Sequence, residues 1–408
     1  MLTSTYVKVR RLLSSLSKKI VNCNQHLSPL QLCSAVSGFR RLSNSERVVR
    51  DIIELITQRW KCRGLIGNPC DNHFKFSGLC SAVYGLRSMN SKDECVIELL
   101  SYIGNEMLNA MNVHNVQNRR VFGRDVAYAL NGLRGMSYDC AEVRSIMSTL
   151  NLVLASSEAQ PFATRDLCNA LSIFRNMSCG NVEVRSLLST LCERIVHDNK
   201  KLARDIHACH ENNVPFRGVV SPIINSLSHS KMKPLEVMEV LNSFRLMDSD
   251  YPEVRRLLTL VLPFLWSSGV VINSSDDFVS MMSAIRNMKS THTEVRSLLT
   301  YFTSVLECST GDFASVDVVL RLLQNFNGMD ISHCEVCNFF DVLILKVRSS
   351  TTSRLERGLS LSIEYPETEM AQQRHKRFED CVAILGKSPL LDKSSNEIER
   401  LIATICEI

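Results

Sequence analysis

Arginine recurs at two registers of an internal repeat. Seven short apolar-periodic stretches close on Leu42, Met89, Met136, Met177, Met247, Met288 and Met329. Two residues before six of these anchors stands an arginine: Arg40, Arg87, Arg134, Arg175, Arg245 and Arg286; the seventh has Asn327. A second set lies in EVRSLL-like motifs at Arg10, Arg50, Arg144, Arg185, Arg255 and Arg296. Stacking the repeats would turn each set into a ladder of guanidinium groups. A guanidinium is planar, always charged and carries forked donors, so a ladder can meet successive phosphates or stack on splayed bases of a single strand. The same side chains also have a structural use. They can pair with an acid of the next repeat or bind the last carbonyls of a helix.

Positions eight, five and one before each anchor form a third set. They include Tyr84, Tyr128, Asn131, Asn169, Asn176, Asn242 and Asn287, and only Arg41, Glu239 and Arg321 are charged among the 21. An idle solvated helix face would carry more Lys and Glu, which favour helix. Asn, Ser and Tyr instead hydrogen-bond directionally and stack, as helical repeats do when they read bases. Packing against a neighbouring layer would disfavour charge as well. The candidate RNA-binding residues are therefore Arg40, Arg87, Arg134, Arg175, Arg245, Arg286, Tyr84, Tyr128, Asn131, Asn169 and Asn242.

The elements that position them follow from periodicity. Ten, nine, six and three residues before each anchor the chain is apolar, as in Leu79, Cys80, Val83 and Leu86, or Leu167, Cys168, Leu171 and Phe174. That is one stripe of an amphipathic helix. The EVR motif repeats it with Val184, Leu187, Leu188 and Leu191. Each unit thus reads as two antiparallel helices joined by a short polar loop. One hairpin cannot bury both stripes, but stacked neighbours can. The expected fold is all-α, an α-solenoid of tandem helical hairpins with about 41–47 residues per repeat. The array covers 1–348 with an insert near 196–232, which holds a degenerate copy ending at Met232. A Ser/Thr-rich linker spans 349–368, and a C-terminal helical cap spans 369–408, with a capping box at Ser394 and Glu397.

Composition narrows the classes. With 45% hydrophobic and 22% charged residues the chain is not disordered, and 26 glycines and prolines are few for a β-sandwich. A net charge of +5 is compatible with nucleic acid. Most of the 16 cysteines fall where other repeats place Ala, Val, Met or Leu, which reads as small hydrophobes in a reducing interior. The first 45 residues hold no acid and seven Lys or Arg, the composition of an organellar presequence, although residues 8–20 also match a second repeat helix. Leu257–Ser275 is free of charge, but Pro263, Gly269 and several polar residues interrupt it, so no integral membrane segment is expected. Cys334 and Cys337 form a lone CxxC and His207, Cys209 and His210 a short cluster; neither makes a four-ligand zinc site, so no metal and no cofactor is expected. No set of residues converges on catalysis.

The units LCSAVYGLRSM and LCNALSIFRNM, each followed by a Leu-rich second helix, resemble the octotricopeptide class of organellar helical repeats over residues 7–348. The resemblance implies an α-solenoid that binds single-stranded RNA in a mitochondrion or plastid. It would act in transcript maturation, stability, translation or ribosome assembly. The alternative is a cytoplasmic protein-interaction scaffold of armadillo or HEAT type, with the same helices, other proteins as partners and no RNA.

Overall fold

The computed structural model describes residues 7–23, 25, 27–63, 73–112, 123–156, 162–211, 232–313 and 315–356. Among them the chain is all-helical. The chain divides into two compact units, Met1–Ser230 and Lys231–Ile408.

In unit 1 the first helices of the repeats are α2 (Pro29–Ser37), α4 (Phe76–Gly85), α6 (Gly123–Gly132) and α8 (Thr164–Leu171). The second helices are α1 (Val7–Val21), α3 (Arg47–Arg63), α5 (Glu94–Asn112), α7 (Ala141–Ala155) and α9 (Val182–Glu211). First helices pack on first helices, α2 on α4, α4 on α6 and α6 on α8, and second helices pack likewise from α1 to α9. Unit 2 repeats the scheme. Its first helices are α10 (Pro234–Ser243), α12 (Ser275–Met282) and α14 (Val316–Leu323), and its second are α11 (Pro252–Ser268), α13 (Thr293–Cys308) and α15 (Cys334–Glu356).

The predicted stripes are the core. Leu79, Cys80, Val83 and Leu86 are fully buried, as are Val184, Leu187, Leu188 and Leu191. Each fully buried aliphatic side chain of this size contributes about 1.5–3 kcal/mol. Cys33, Cys80, Cys168 and Cys192 lie buried within the same stripes, among the aliphatic side chains. In unit 1 the first helices meet at glycine: a Cβ on Gly85 would fall on the Val36 carbonyl, and one on Gly132 on the Val83 carbonyl. The α2–α4 and α4–α6 contacts are therefore close backbone contacts that only glycine permits.

Two boundaries differ from the sequence reading. Helix α15 runs through the Ser/Thr-rich stretch to Glu356, beyond the point where the linker was expected at residue 349. Ser and Thr are poor helix formers, yet the buried Val336, Phe339, Phe340, Leu343, Ile344 and Val347 anchor the helix that carries them. Helix α9 likewise continues through the start of the insert to Glu211. The rest of the linker, the cap at 369–408 and the degenerate copy before Met232 lie outside the described residues.

Candidate functional site

Each first helix stops short of its anchor. The anchor N–H then donates to the carbonyl three residues back: Met89 to Leu86 (2.9 Å), Met136 to Leu133 (2.9 Å), Met247 to Phe244 (2.9 Å) and Met288 to Ile285 (2.9 Å). Positions one and two before the anchor thus sit in a tight turn, or at Arg175 and Asn176 in a 3-10 helix, not on the α-helix face where the 3.6-residue period had placed them. The cause is the buried residue three before the anchor, such as Leu86 or Phe244, which turns the chain inward.

The first arginine column emerges at these turns. Arg40, Arg175, Arg245 and Arg286 are exposed, and their guanidinium groups make no hydrogen bond or ion pair among the described residues. Arg87 is half-buried. Its Nη1 donates to the Tyr84 hydroxyl at 2.7 Å, and its plane lies 5.4 Å from the Tyr84 ring centre. Tyr84 in turn stacks on Tyr128 of the next repeat, with centroids 4.9 Å apart and 22° between planes. Arg134 is also half-buried.

The polar set is spent partly on contacts between repeats. Asn131 is only 2% exposed and its amide donates to the Asn169 side-chain oxygen at 2.7 Å, which removes Asn131 from the open surface. Residue five of one repeat meets residue eight of the next, which is why Tyr84 finds Tyr128 and Asn131 finds Asn169. Asn169 and Asn242 are half-buried. Asn176 and Asn287 donate to the carbonyls of Arg134 (2.8 Å) and Arg245 (3.0 Å), and Ser88 donates to that of Arg40 (3.0 Å). These are latches on the main chain of the preceding repeat.

The second arginine column is structural. Arg50, Arg144, Arg185, Arg255 and Arg296 each donate through Nη1 to the carbonyls six and five residues before them. The pairs run from Asn44 and Ser45 to Ser290 and Thr291, at 2.6–3.2 Å. A charge-assisted clamp on two loop carbonyls fixes the hairpin bend. The last repeat has Cys337 at this register, and its thiol donates to the matching carbonyl of Ile331 at 3.0 Å. Acids of the next repeat also enter, in Arg10–Glu46 at 2.8 Å and Arg296–Glu335 at 3.4 Å.

Sequence reasoning missed two further columns. Two residues after the anchor, Asn44, Ser91, Ser249 and Ser290 are buried, and each accepts from the N–H just after the next anchor: Asn90 (3.3 Å), Ser137 (2.8 Å), Lys289 (2.9 Å) and Asp330 (2.7 Å). The recurrence of Ser at that register was the available signal. Nine residues past the clamp, Arg59, Arg194 and Lys346 bind carbonyls that end the preceding second helix: Ile20 and Cys23, Ser156, and Ser309. Cations there also suit the negative end of the helix dipole.

The electrostatics of the two units diverge. In unit 1, burial holds the Asp125 carboxyl above its ordinary range, and does the same to Asp166. Burial, then a hydrogen bond to Glu183, pushes the Tyr138 hydroxyl up to about 12. In unit 2 two cations of the first-helix layer and its turns meet aspartates. Arg321 pairs with Asp276 (2.6 Å) and Asp317 (2.9 Å), and Lys289 and His292 both meet Asp250, which lowers that carboxyl.

Cys334 and Cys337 have separate partners, Glu335 and Ile331, and no group of three or more His, Cys, Asp or Glu able to hold a metal occurs among the described residues. The side chains of His207, Cys209 and His210 lie outside them. No helix of the described residues is long and apolar enough to cross a membrane. Comparison with protein-family models, with curated proteins and with solved structures gave no match.

Proposed function

We propose that this chain is an α-solenoid of helical hairpins that binds single-stranded RNA without catalysing a reaction. The solenoid reading rests on the way helices pack within each unit, layer by layer on the next repeat. The RNA reading rests on one observation: Arg40, Arg175, Arg245 and Arg286 stand at equivalent turns, exposed and without acidic partners. A surface salt bridge is worth little, but unneutralised guanidiniums repeated at one register within a unit are a ready counter-surface for phosphates. Aromatic and amide groups beside the row supply contacts that bases can use. An organellar location, mitochondrion or plastid, belongs to the same proposal; its support is the acid-free basic opening of the chain and the helical-repeat resemblance. The role would then be transcript maturation, stability, translation or ribosome assembly.

The armadillo- or HEAT-type scaffold gains from a different observation. Tyr84 stacks on Tyr128 and Asn131 donates to Asn169, as side chains that only join repeats would. Fluorescence anisotropy with a labelled single-stranded oligonucleotide across a salt series decides between them. RNA binding gives log K falling linearly with log salt, by about 0.7 per phosphate contacted. Absence of binding at low salt, or affinity indifferent to salt, would overturn the RNA reading.

A further inference from the structure

The seven first-helix turns share one register, yet the surface around them changes sign between the units. From each helix start to its anchor, unit 1 carries seven arginines against two acids, Asp125 and Asp166, both partly withdrawn from solvent. The same stretches of unit 2 carry three arginines against five acids. The residue after each anchor shows the contrast at close range. It is Ser43, Asn90, Ser137 and Ser178 in unit 1, but Asp248, Lys289 and Asp330 in unit 2. Arg245 therefore shares its turn with Asp248, whereas Arg40 stands beside the exposed Arg41 and Arg175 beside neutral residues. One of unit 2's three arginines, Arg321, is neutralised by two aspartates.

Unit 1 also holds a feature that unit 2 lacks. Arg87, Tyr84 and Tyr128 form a cluster in which the guanidinium sits at the hydroxyl end of Tyr84, 5.4 Å from its ring centre, and Tyr128 of the next repeat stacks on Tyr84. The Tyr84 hydroxyl fixes Arg87 in this pose. Tyr128 covers one face of Tyr84, and Arg87 stands half-buried at its hydroxyl end. A guanidinium held in place by a tyrosine hydroxyl is a flat, cationic platform, and an unpaired base can stack on it irrespective of sequence. The equivalent positions in unit 2 are Asn242 beside Arg245 and Ser283 beside Arg286, which offer no ring.

We infer that the RNA-binding surface is confined to unit 1, where a single strand stacks a base on Arg87 of the Tyr84–Tyr128 cluster and lays its phosphates along the turns from Arg40 to Arg175. This rests on the RNA reading above and narrows it. The acidic first-helix layer of unit 2 repels the same strand, and its exposed Arg245 and Arg286 do not contribute. The ligand class is single-stranded, since a duplex keeps its bases stacked and inaccessible.

Two pairs of variants test the confinement in the full-length chain, because each removes two exposed arginines of one register with no intramolecular partner. The probe is a labelled oligouridylate followed by anisotropy across a salt series. Arg40→Ala with Arg175→Ala lowers the salt slope by about 1.4, two phosphates at about 0.7 each. Arg245→Ala with Arg286→Ala leaves affinity and slope at wild-type values. Equal losses in both pairs, or a larger loss in the second, overturn the confinement while leaving RNA binding intact; a wild-type chain that binds no oligonucleotide overturns the RNA reading itself. Arg87→Lys, which keeps the charge and loses the plane, lowers affinity by roughly five-fold or more if a base stacks there. Unchanged affinity of a folded Arg87→Lys overturns the stacking role, as does blunt duplex RNA that competes as well as the single strand. Should Arg87→Lys unfold, Tyr84→Phe replaces it. Freeing the Arg87 plane from its hydroxyl tether lowers affinity less than losing the whole ring does in Tyr84→Leu.

Discussion

Units 1 and 2 are built on the same frame and dressed differently. In both, an arginine of the second helix clamps two loop carbonyls, and a buried serine or asparagine accepts from the next repeat. In unit 1 helices α4 and α6 close on Gly85 and Gly132, and Arg40 and Arg175 stand exposed and unpaired where no acid adjoins them. In unit 2 the register of Gly85 and Gly132 is filled by Ser243, Ala284 and Asn325, and Lys289 and Arg321 are paired with aspartates while Arg245 and Arg286 stand among more acids. The frame is thus separable from the surface. The repeat can change its charge from one unit to the next without touching the bonds that make it a repeat.

The steepest way to break this comparison is at the glycines. Gly85→Ala or Gly132→Ala places a methyl on a neighbouring carbonyl, and the loss in unit 1 stability should reach about 3 kcal/mol, the upper range for overpacking. Ala284→Gly at the same register of unit 2 should cost only about 1 kcal/mol. Chemical denaturation of both variants measures the contrast; equal costs would mean that the close approach is not specific to unit 1.

The clamp should behave alike in both units. Arg144→Met and Arg255→Met each strand two loop carbonyls, and a charged hydrogen bond pair that is partly exposed should be worth about 1–2 kcal/mol. Losses that differ by more than a factor of two would show that one of the two arginines has another duty. The complement is Cys337→Arg, which installs the clamp in the last repeat and should raise the thermal midpoint by a few degrees.

Smaller again is the inter-repeat serine. Ser290→Ala leaves the Asp330 N–H without its acceptor and should cost about 1 kcal/mol. Ser249→Ala should match it through Lys289. Hydrogen exchange at Asp330 and Lys289 reads the loss directly, and unchanged protection would remove the serine column from the frame.

The smallest effect is pH-dependent and belongs to unit 1 alone. Burial raises the Asp125 carboxyl, with Asp166 adding to the shift and Arg124 opposing it. The folded value lies above the unfolded one, so the stability tied to the protonated acid is full below the ordinary aspartate value of about 4 and is lost as pH rises from there through the raised folded value. Asp125→Asn should therefore raise the midpoint by about 1–2 °C at pH 7 and change nothing near pH 3. A loss of stability at pH 7 would mean that the charge is needed, not merely tolerated.

The repeat, its two helices and its buried stripe were legible in the sequence. A period of 3.6 written in Leu, Val, Cys and Met leaves one way to hide the apolar face, and Leu79 to Leu86 or Val184 to Leu191 lie where that period puts them. What each arginine does was not legible. The two columns have the same composition, and sequence left both open to phosphate or to structure. Only the tertiary arrangement separated them, because the clamp depends on a loop bend that brings carbonyls six and five residues back within reach of Nη1. The first column was misplaced from helix to turn for a related reason. Periodicity reports which residues share a face, but a buried Leu86 or Phe244 ends the helix through packing that no local signal records. Asn131 fell from the surface to the interior in the same way, since its fate is set by Asn169 of another repeat. The sequence by itself determined the period and what must be buried. The stacking of one repeat on the next decided which polar groups are left over, because hydrogen bonds between residues some forty positions apart in sequence exist only once the repeats touch.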